Sequence, residues 1–208
     1  LGQDHFKIPS GEITNLPYLR HIGQLGKTAI LSTGMATMGD IEAALDVLEQ
    51  AGTTRAQITL LHCTTEYPTP MNEVNLRAMQ SIHAAFGLAV GYSDHTPGIE
   101  VAIAAVAMGA AVIEKHFTLD RKDGGVDSTF SMEPFEMASL VVETERAWQS
   151  LGCIHYGPSS DNENISRDYR RSLYIVSDMK AGEALTPENM RAIRPGLGLS
   201  TKYYSILL

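Results

Sequence analysis

Two histidines, His95 and His116, each follow a polar residue by two positions, Ser93 and Glu114, at the ends of two short apolar runs. Residues two apart in an extended chain point to the same face, so two neighbouring strands of this kind bring four polar side chains together. Neutral imidazoles in such a place suit a divalent metal whose other positions are left to water and substrate, as a Lewis-acid site requires. For either histidine alone the competing reading is a hydrogen-bonded core residue, since histidine is commonly half-buried. The pair on adjacent strands favours the site.

Lys7, Ser10 and Ser32 end two earlier runs. A compact positive charge with two hydroxyl donors beside it suits a phosphate or a carboxylate. A lysine that merely snorkels from a strand end is the alternative. His62 precedes Cys63 and the stretch Thr65-Glu66-Tyr67-Pro68-Thr69-Pro70, which also suits a plain strand-to-helix turn. Asp127 stands in Gly124-Gly125-Val126-Asp127-Ser128, where its carboxylate suits sugar hydroxyls or acid–base work, and where the same residues equally make an ordinary turn.

Positioning these groups requires strands that end together. Five β-branched or apolar runs recur, at Phe6–Pro9, Ala29–Ser32, Ile58–His62, Ala89–Ser93 and Val112–His116. Helical stripes separate or follow them: Ile41, Leu45 and Leu48 with Gly52 beyond; Ile99, Ile103 and Val106; and Leu140, Val141, Thr144, Trp148 and Leu151. Strand alternating with helix predicts an α/β fold with parallel strands. No glycine-rich phosphate fingerprint follows a strand, which disfavours a dinucleotide fold. Polar groups gathered at the strand ends instead suit the C-terminal mouth of a TIM (β/α)8 barrel. A complete barrel takes ~250 residues, so the five units are expected to be its last five. Leu1-Gly2-Gln3-Asp4-His5 has no leader character, and the chain is expected to be a fragment that starts mid-domain and does not close into a barrel by itself.

The barrel part is expected over residues 1–156. Residues 157–169, polar and turn-rich, predict a linker. A second module follows over 170–208, with a strand at Ser172–Val176 and a short capped helix at Thr186-Pro187-Glu188-Asn189.

Of the 208 residues 44% are hydrophobic and 19% charged, and 16 basic against 24 acidic side chains give a formal net charge of −8. This acidic balance, without a basic cluster, argues against nucleic acid as a partner. No apolar run approaches the ~18 residues of a membrane span. Two cysteines, Cys63 and Cys153, make no disulfide framework, which predicts a reducing, cytoplasmic setting.

Five segments carry a resemblance. Lys7-Ile8-Pro9-Ser10-Gly11-Glu12, Leu31-Ser32-Thr33-Gly34-Met35, Leu61-His62-Cys63-Thr64 with Tyr67-Pro68-Thr69-Pro70, Gly91-Tyr92-Ser93-Asp94-His95-Thr96 and Ile113-Glu114-Lys115-His116-Phe117-Thr118-Leu119-Asp120 resemble, in order and spacing, the sialic acid synthase family. That family condenses phosphoenolpyruvate with an N-acylated mannosamine-type sugar to a nine-carbon acid. The resemblance implies a TIM barrel followed by a partial antifreeze-like domain, to whose signature Ile193-Arg194-Pro195-Gly196 is similar. It further implies that His95 and His116 ligate Mn2+ or Mg2+, which would polarise the sugar aldehyde. By the same resemblance Lys7, Ser10, Ser32 and Ser93 hold phosphoenolpyruvate, Glu114 lies beside the reacting carbons, and Tyr67 and Asp127 face the sugar. Arg194 would reach the site of a partner in a domain-swapped homodimer.

Thr65 replaces an asparagine of some members, changing one donor to the phosphoenolpyruvate or the sugar. The Gly125–Pro134 stretch and Arg170–Tyr174 resemble the branch making pseudaminic or related diacetamido acids, whereas Lys7–Glu12 and Glu66–Pro70 resemble the sialic or legionaminic branches, so the sugar stays open. Two rival classes are a Schiff-base aldolase with Lys7 as nucleophile and a non-catalytic sugar-binding remnant.

Overall fold

A computed structural model describes residues 2–208. The chain divides into two compact units, Leu1–Gly152 and Cys153–Leu208.

In the first unit five strands form one parallel sheet in sequence order: β1 His5–Ile8, β2 Thr28–Ser32, β3 Ile58–His62, β4 Ala89–Asp94 and β5 Ile113–Lys115. Helices α1 Leu16–Gln24, α2 Met38–Ala51, α3 Arg77–Phe86 and α4 Glu100–Ala107 make the crossovers, and α5 Pro134–Leu151 follows β5. The register pairs Lys7 with Ile30, Leu31 with Leu60, Leu61 with Gly91 and Ser93 with Glu114. One face of the sheet packs against the helices through Ile8, Leu31, Ile58, Leu60, Val90 and Tyr92, all buried. Strand alternation sends their neighbours Lys7, Ser32, Ser93 and Glu114 to the other face.

That second face is concave. Lys7 and Glu114 stand on the two outermost strands, yet Lys7 Nζ lies 3.2 Å from Glu114 Oε1. Only a strongly curled sheet brings its edges so close, and five strand–helix units of a (β/α)8 barrel have that curl.

Local signals account for the helices. Thr37 and Asp40 close a capping box at the start of α2, and Gly52 ends it at φ 129°. The predicted stripe Ile41, Leu45 and Leu48 is buried. The stripe predicted on α5 is not: Leu140 is buried, whereas Val141, Trp148 and Leu151 are exposed. Leu140 packs with Ala102 and Met132, while Val141, Trp148 and Leu151 line an open groove beside Val106, Ala110 and Ile113. Ile99 stands before α4 rather than on it, and Val106 alone of its predicted stripe is buried.

The second unit holds a three-stranded antiparallel sheet in the order β7-β6-β8, formed by β6 Ser172–Ile175, β7 Met190–Ile193 and β8 Leu199–Ser200. Leu173 and Met190 are its buried apolar residues. The stretch read as a linker contains a short helix, α6 Asp161–Ile165, capped by Ser160. The helix predicted at Thr186–Asn189 is a correction: it is a single turn, because Asn189 Oδ1 accepts from Thr186 N and β7 begins at the next residue. Both cysteines are free. Among the described residues no helix is long and apolar enough to cross a membrane.

Candidate active site

A cavity of about 490 Å³ opens on the concave face, lined by Lys7, Ser10, Ser32, Thr65, Tyr67, Ser93, His95, Glu114 and His116 among others. Nine side chains expected to act together, from all five strands and the loops after them, therefore share one space.

On the β1–β2 side, Ser10 Oγ accepts from Gly34 N at 3.0 Å and lies 3.1 Å from Cys63 Sγ. Gly34 has no alternative there, because a Cβ would stand 2.7 Å from Thr65 Cγ2, 2.8 Å from Ser10 Oγ and 2.9 Å from Cys63 Sγ. Ser32 is 2% exposed, and its hydroxyl has no hydrogen-bond partner although it lines the cavity. A buried hydroxyl without a partner is costly, and a ligand oxygen in the cavity would satisfy it.

Glu114 lies where the sequence places it and has two partners. Its Oε1 takes the Lys7 ammonium at 3.2 Å and the Ser93 hydroxyl at 2.8 Å. Lys7 thus reaches across the cavity instead of resting beside Ser10 and Ser32 alone.

The two imidazoles face each other, ring centres 5.3 Å apart. His95 Nδ1 lies 2.7 Å from the Thr64 carbonyl, which only accepts, so Nδ1 carries the proton and Nε2 keeps its lone pair. Burial holds the His95 pKa below the usual imidazole value, against the opposing pull of that carbonyl, and so favours the neutral ring. Ser93 Oγ stands 3.5 Å from His95 Nε2, but its proton goes to Glu114, which leaves Nε2 open. On His116, Nδ1 faces Asp127 Oδ2 at 3.5 Å. Each ring therefore has an acceptor behind Nδ1 and presents Nε2, the outer-shell arrangement typical of metal-ligating histidines.

Two imidazoles on one ion at ~2.1 Å per bond have ring centres about 5 Å apart, so the observed pair fits a divalent metal. Among the described residues no group of three His, Cys, Asp or Glu side chains gathers for a metal. An ion here would take its other ligands from outside that set.

Tyr67 walls the pair, its ring 4.1 Å from His95 and 5.7 Å from His116, and burial raises its pKa. Its loop is tied to the site, since Thr69 N donates to the His95 carbonyl at 3.0 Å. Phe130 stands against both His116, 5.1 Å away, and Tyr67, 5.7 Å away. Sequence reasoning missed Phe130, Cys63 as the neighbour of Ser10, and the Thr64 carbonyl. Phe130 arrives because Met132 N donates to the His116 carbonyl and folds the 124–133 loop back along β5. Asp127 is brought to His116 but does not line the cavity. Arg194 belongs to the second unit, exposed directly after β7.

Residues 1–156 match the NeuB family and residues 170–208 match the SAF domain. The chain is 52% identical over 209 residues to N,N'-diacetyllegionaminic acid synthase of Campylobacter jejuni, covering 100% of the chain and 62% of that protein. It is 42% identical to the protein of the same name from Legionella pneumophila, covering 96% of the chain and 57% of that protein. Among solved structures, an N-acetylneuraminic acid synthetase from Leptospira borgpetersenii in complex with citrate superposes with TM-score 0.72 at 39% identity, over 79% of the chain and 57% of that structure. The chain thus spans about 60% of the length of the curated relatives it matches. With five strand ends delivering polar residues to one cavity and matches running from the first strand to the last, this chain belongs to the NeuB family, and an SAF domain follows its barrel strands in sequence.

Proposed function

We propose that the protein condenses phosphoenolpyruvate with the open-chain aldehyde of an N-acylated hexosamine, giving a nine-carbon keto acid and phosphate. The observation that carries this reading is one cavity holding both an orphaned buried hydroxyl beside a lysine and a pair of histidines with open Nε2 atoms.

Lys7, Ser10 and Ser32 bind the phosphate and carboxylate as cation and hydroxyl donors, and Thr65 and Ser93 border the same space. His95 and His116 hold a divalent metal, Mn2+ or Mg2+, which when bound supplies Lewis-acid polarisation of the aldehyde. Carbon 3 of phosphoenolpyruvate bonds to the aldehyde carbon while the aldehyde oxygen takes up a proton, water adds to carbon 2, and the carbon–oxygen bond to phosphate breaks as the new carbon 2 hydroxyl loses its proton to become the keto group. Glu114, fixed by Lys7 and Ser93, orients that water and takes its proton. Tyr67 and Asp127 face the sugar, and Arg194 completes the site of a partner in a homodimer.

Lys7 stands paired with Glu114 as a cation, which supports an anion-binding role over that of a Schiff-base nucleophile. The two relatives named as legionaminic acid synthases support a diacetamido acceptor over a mannosamine-type one. Phosphoenolpyruvate as substrate places the enzyme in the cytoplasm.

The test is phosphate release by the full-length protein given phosphoenolpyruvate, Mn2+ and a panel of acylated hexosamines. Release is expected with a 2,4-diacetamido-6-deoxy hexose and is lost on chelation. No release with any acceptor overturns the proposal.

A further inference from the structure

On the helix-covered face of the sheet, directly behind the histidine pair, lies an ion pair with no part in the chemistry above. Lys115 Nζ is 2.8 Å from Asp94 Oδ2, with side chains only 3% and 0% exposed. The two residues are register partners on β5 and β4. Each is followed at once by one of the facing histidines, His95 after Asp94 and His116 after Lys115.

A buried ion pair is a poor stability device, because desolvating two charges offsets most of their attraction and apolar replacements are often neutral or stabilising. Elsewhere that face packs through Ile8, Leu31, Leu60 and Val90, with no ion pair among the described residues. What the pair does have is a third member. Asp94 Oδ1 accepts from Thr96 N at 2.8 Å and from Thr96 Oγ1 at 2.7 Å, and Lys115 Nζ also donates to the Thr96 carbonyl. Thr96 is 1% exposed. Both chain neighbours of His95 are therefore held by the ammonium of the residue that precedes His116. Strand alternation turns these groups to one face and the two imidazoles to the other.

We propose that Asp94, Thr96 and Lys115 are positioning residues: they lock the ends of β4 and β5 together so that His95 and His116 meet one metal ion at a fixed spacing. This rests on the reading that those histidines hold a metal.

The experiment measures Mn2+ affinity, by the electron paramagnetic resonance signal of the free ion, together with the melting temperature, in the full-length protein and in the neutral double variant Lys115→Met/Asp94→Asn. The asparagine keeps an acceptor for Thr96 N and leaves no lone buried charge. The expected result is a melting temperature at or above that of the parent with Mn2+ affinity reduced ~10-fold or more, the size of an outer-shell loss. Affinity within about twofold of the parent in a folded variant overturns the positioning role while leaving the metal site standing. If the parent itself fails to bind Mn2+, the metal reading and this inference fall together. Should the double variant not fold, Thr96→Val decides: weakened Mn2+ binding supports the lock, and unchanged binding overturns it.

Discussion

The sheet divides into two regions built on opposite principles. Strands β1 to β3 are backed by hydrocarbon, with Ile8, Leu31 and Leu60 fully buried against the helices, and β1 and β2 give the site the single donors Lys7 and Ser32. Strands β4 and β5 add the Asp94–Lys115 ion pair at their ends to the buried Val90 and Tyr92, and beside Ser93 and Glu114 they deliver two imidazoles whose Nδ1 atoms both face oxygen acceptors. Apolar packing is non-directional and stabilises whatever is brought together. Hydrogen-bonded charges fix angle and distance. The first region supplies the stability of the fold, and the second fixes the two imidazoles at the spacing that the proposed metal would need.

The largest expected effect tests the second region. His95→Ala or His116→Ala in the full-length protein should lower phosphate release by about a hundredfold or more, the scale of losing an electrostatic stabiliser of the transition state. Far-ultraviolet circular dichroism should report a retained fold. Unaltered metal-dependent release in both variants sinks the ligand assignment.

The opposite pattern belongs to the first region. Leu60→Ala removes a fully buried side chain from the helix-covered face and should cost roughly 3 kcal/mol of stability, since such cavities are filled only in part by relaxation. Mn2+ affinity of the folded protein should stay unchanged. A comparable loss of affinity would show that the two regions are not separate.

Ser32→Ala sharpens the comparison at smaller scale. Its hydroxyl has no partner in the folded chain, so removal should leave stability unchanged or slightly higher. The Michaelis constant for phosphoenolpyruvate should rise about tenfold, the worth of one hydrogen bond to a charged group. A loss of stability with an unchanged Michaelis constant would make Ser32 structural.

Much of this was legible in the residues because strands advertise themselves by period. Ser93 with His95, and Glu114 with His116, are two apart and must share a face, and the chain order placed their strands side by side. The α2 stripe was legible for the same reason. Phe130, the Thr64 carbonyl and the Ser10–Cys63 contact were not, because loop contacts and main-chain acceptors leave no periodic trace. Lys7 reaching Glu114 needed the curl of the sheet, which no local pattern reports. The α5 stripe misled for a different reason: periodicity shows that a helix has an apolar face, not that something covers it. Lys115 and Asp94 were passed over because buried charges look, in a sequence, like surface ones.

The mildest test concerns the one ionisable side chain of β3 on the hydrocarbon-backed face. His62 Nε2 donates to the Val74 carbonyl at 2.9 Å, with the Tyr92 ring 5.7 Å away. Burial holds its pKa below the ordinary value of 6.5, against the raising effect of the Val74 and Asn75 backbone. The folded protein therefore takes up a proton at this ring less readily than the unfolded chain. Its contribution to stability is complete above pH 6.5 and is lost as pH falls from there through the lower folded-state value. His95, shifted the same way, adds to that slope in metal-free protein. Urea unfolding in chelator at pH 7.5 and 5.5 should accordingly show lower stability at the acid end, and His62→Gln should flatten the difference without abolishing it. An identical slope in His62→Gln would mean that the ring on the hydrocarbon-backed half carries no proton linkage, and that His95 is the shifted imidazole responsible.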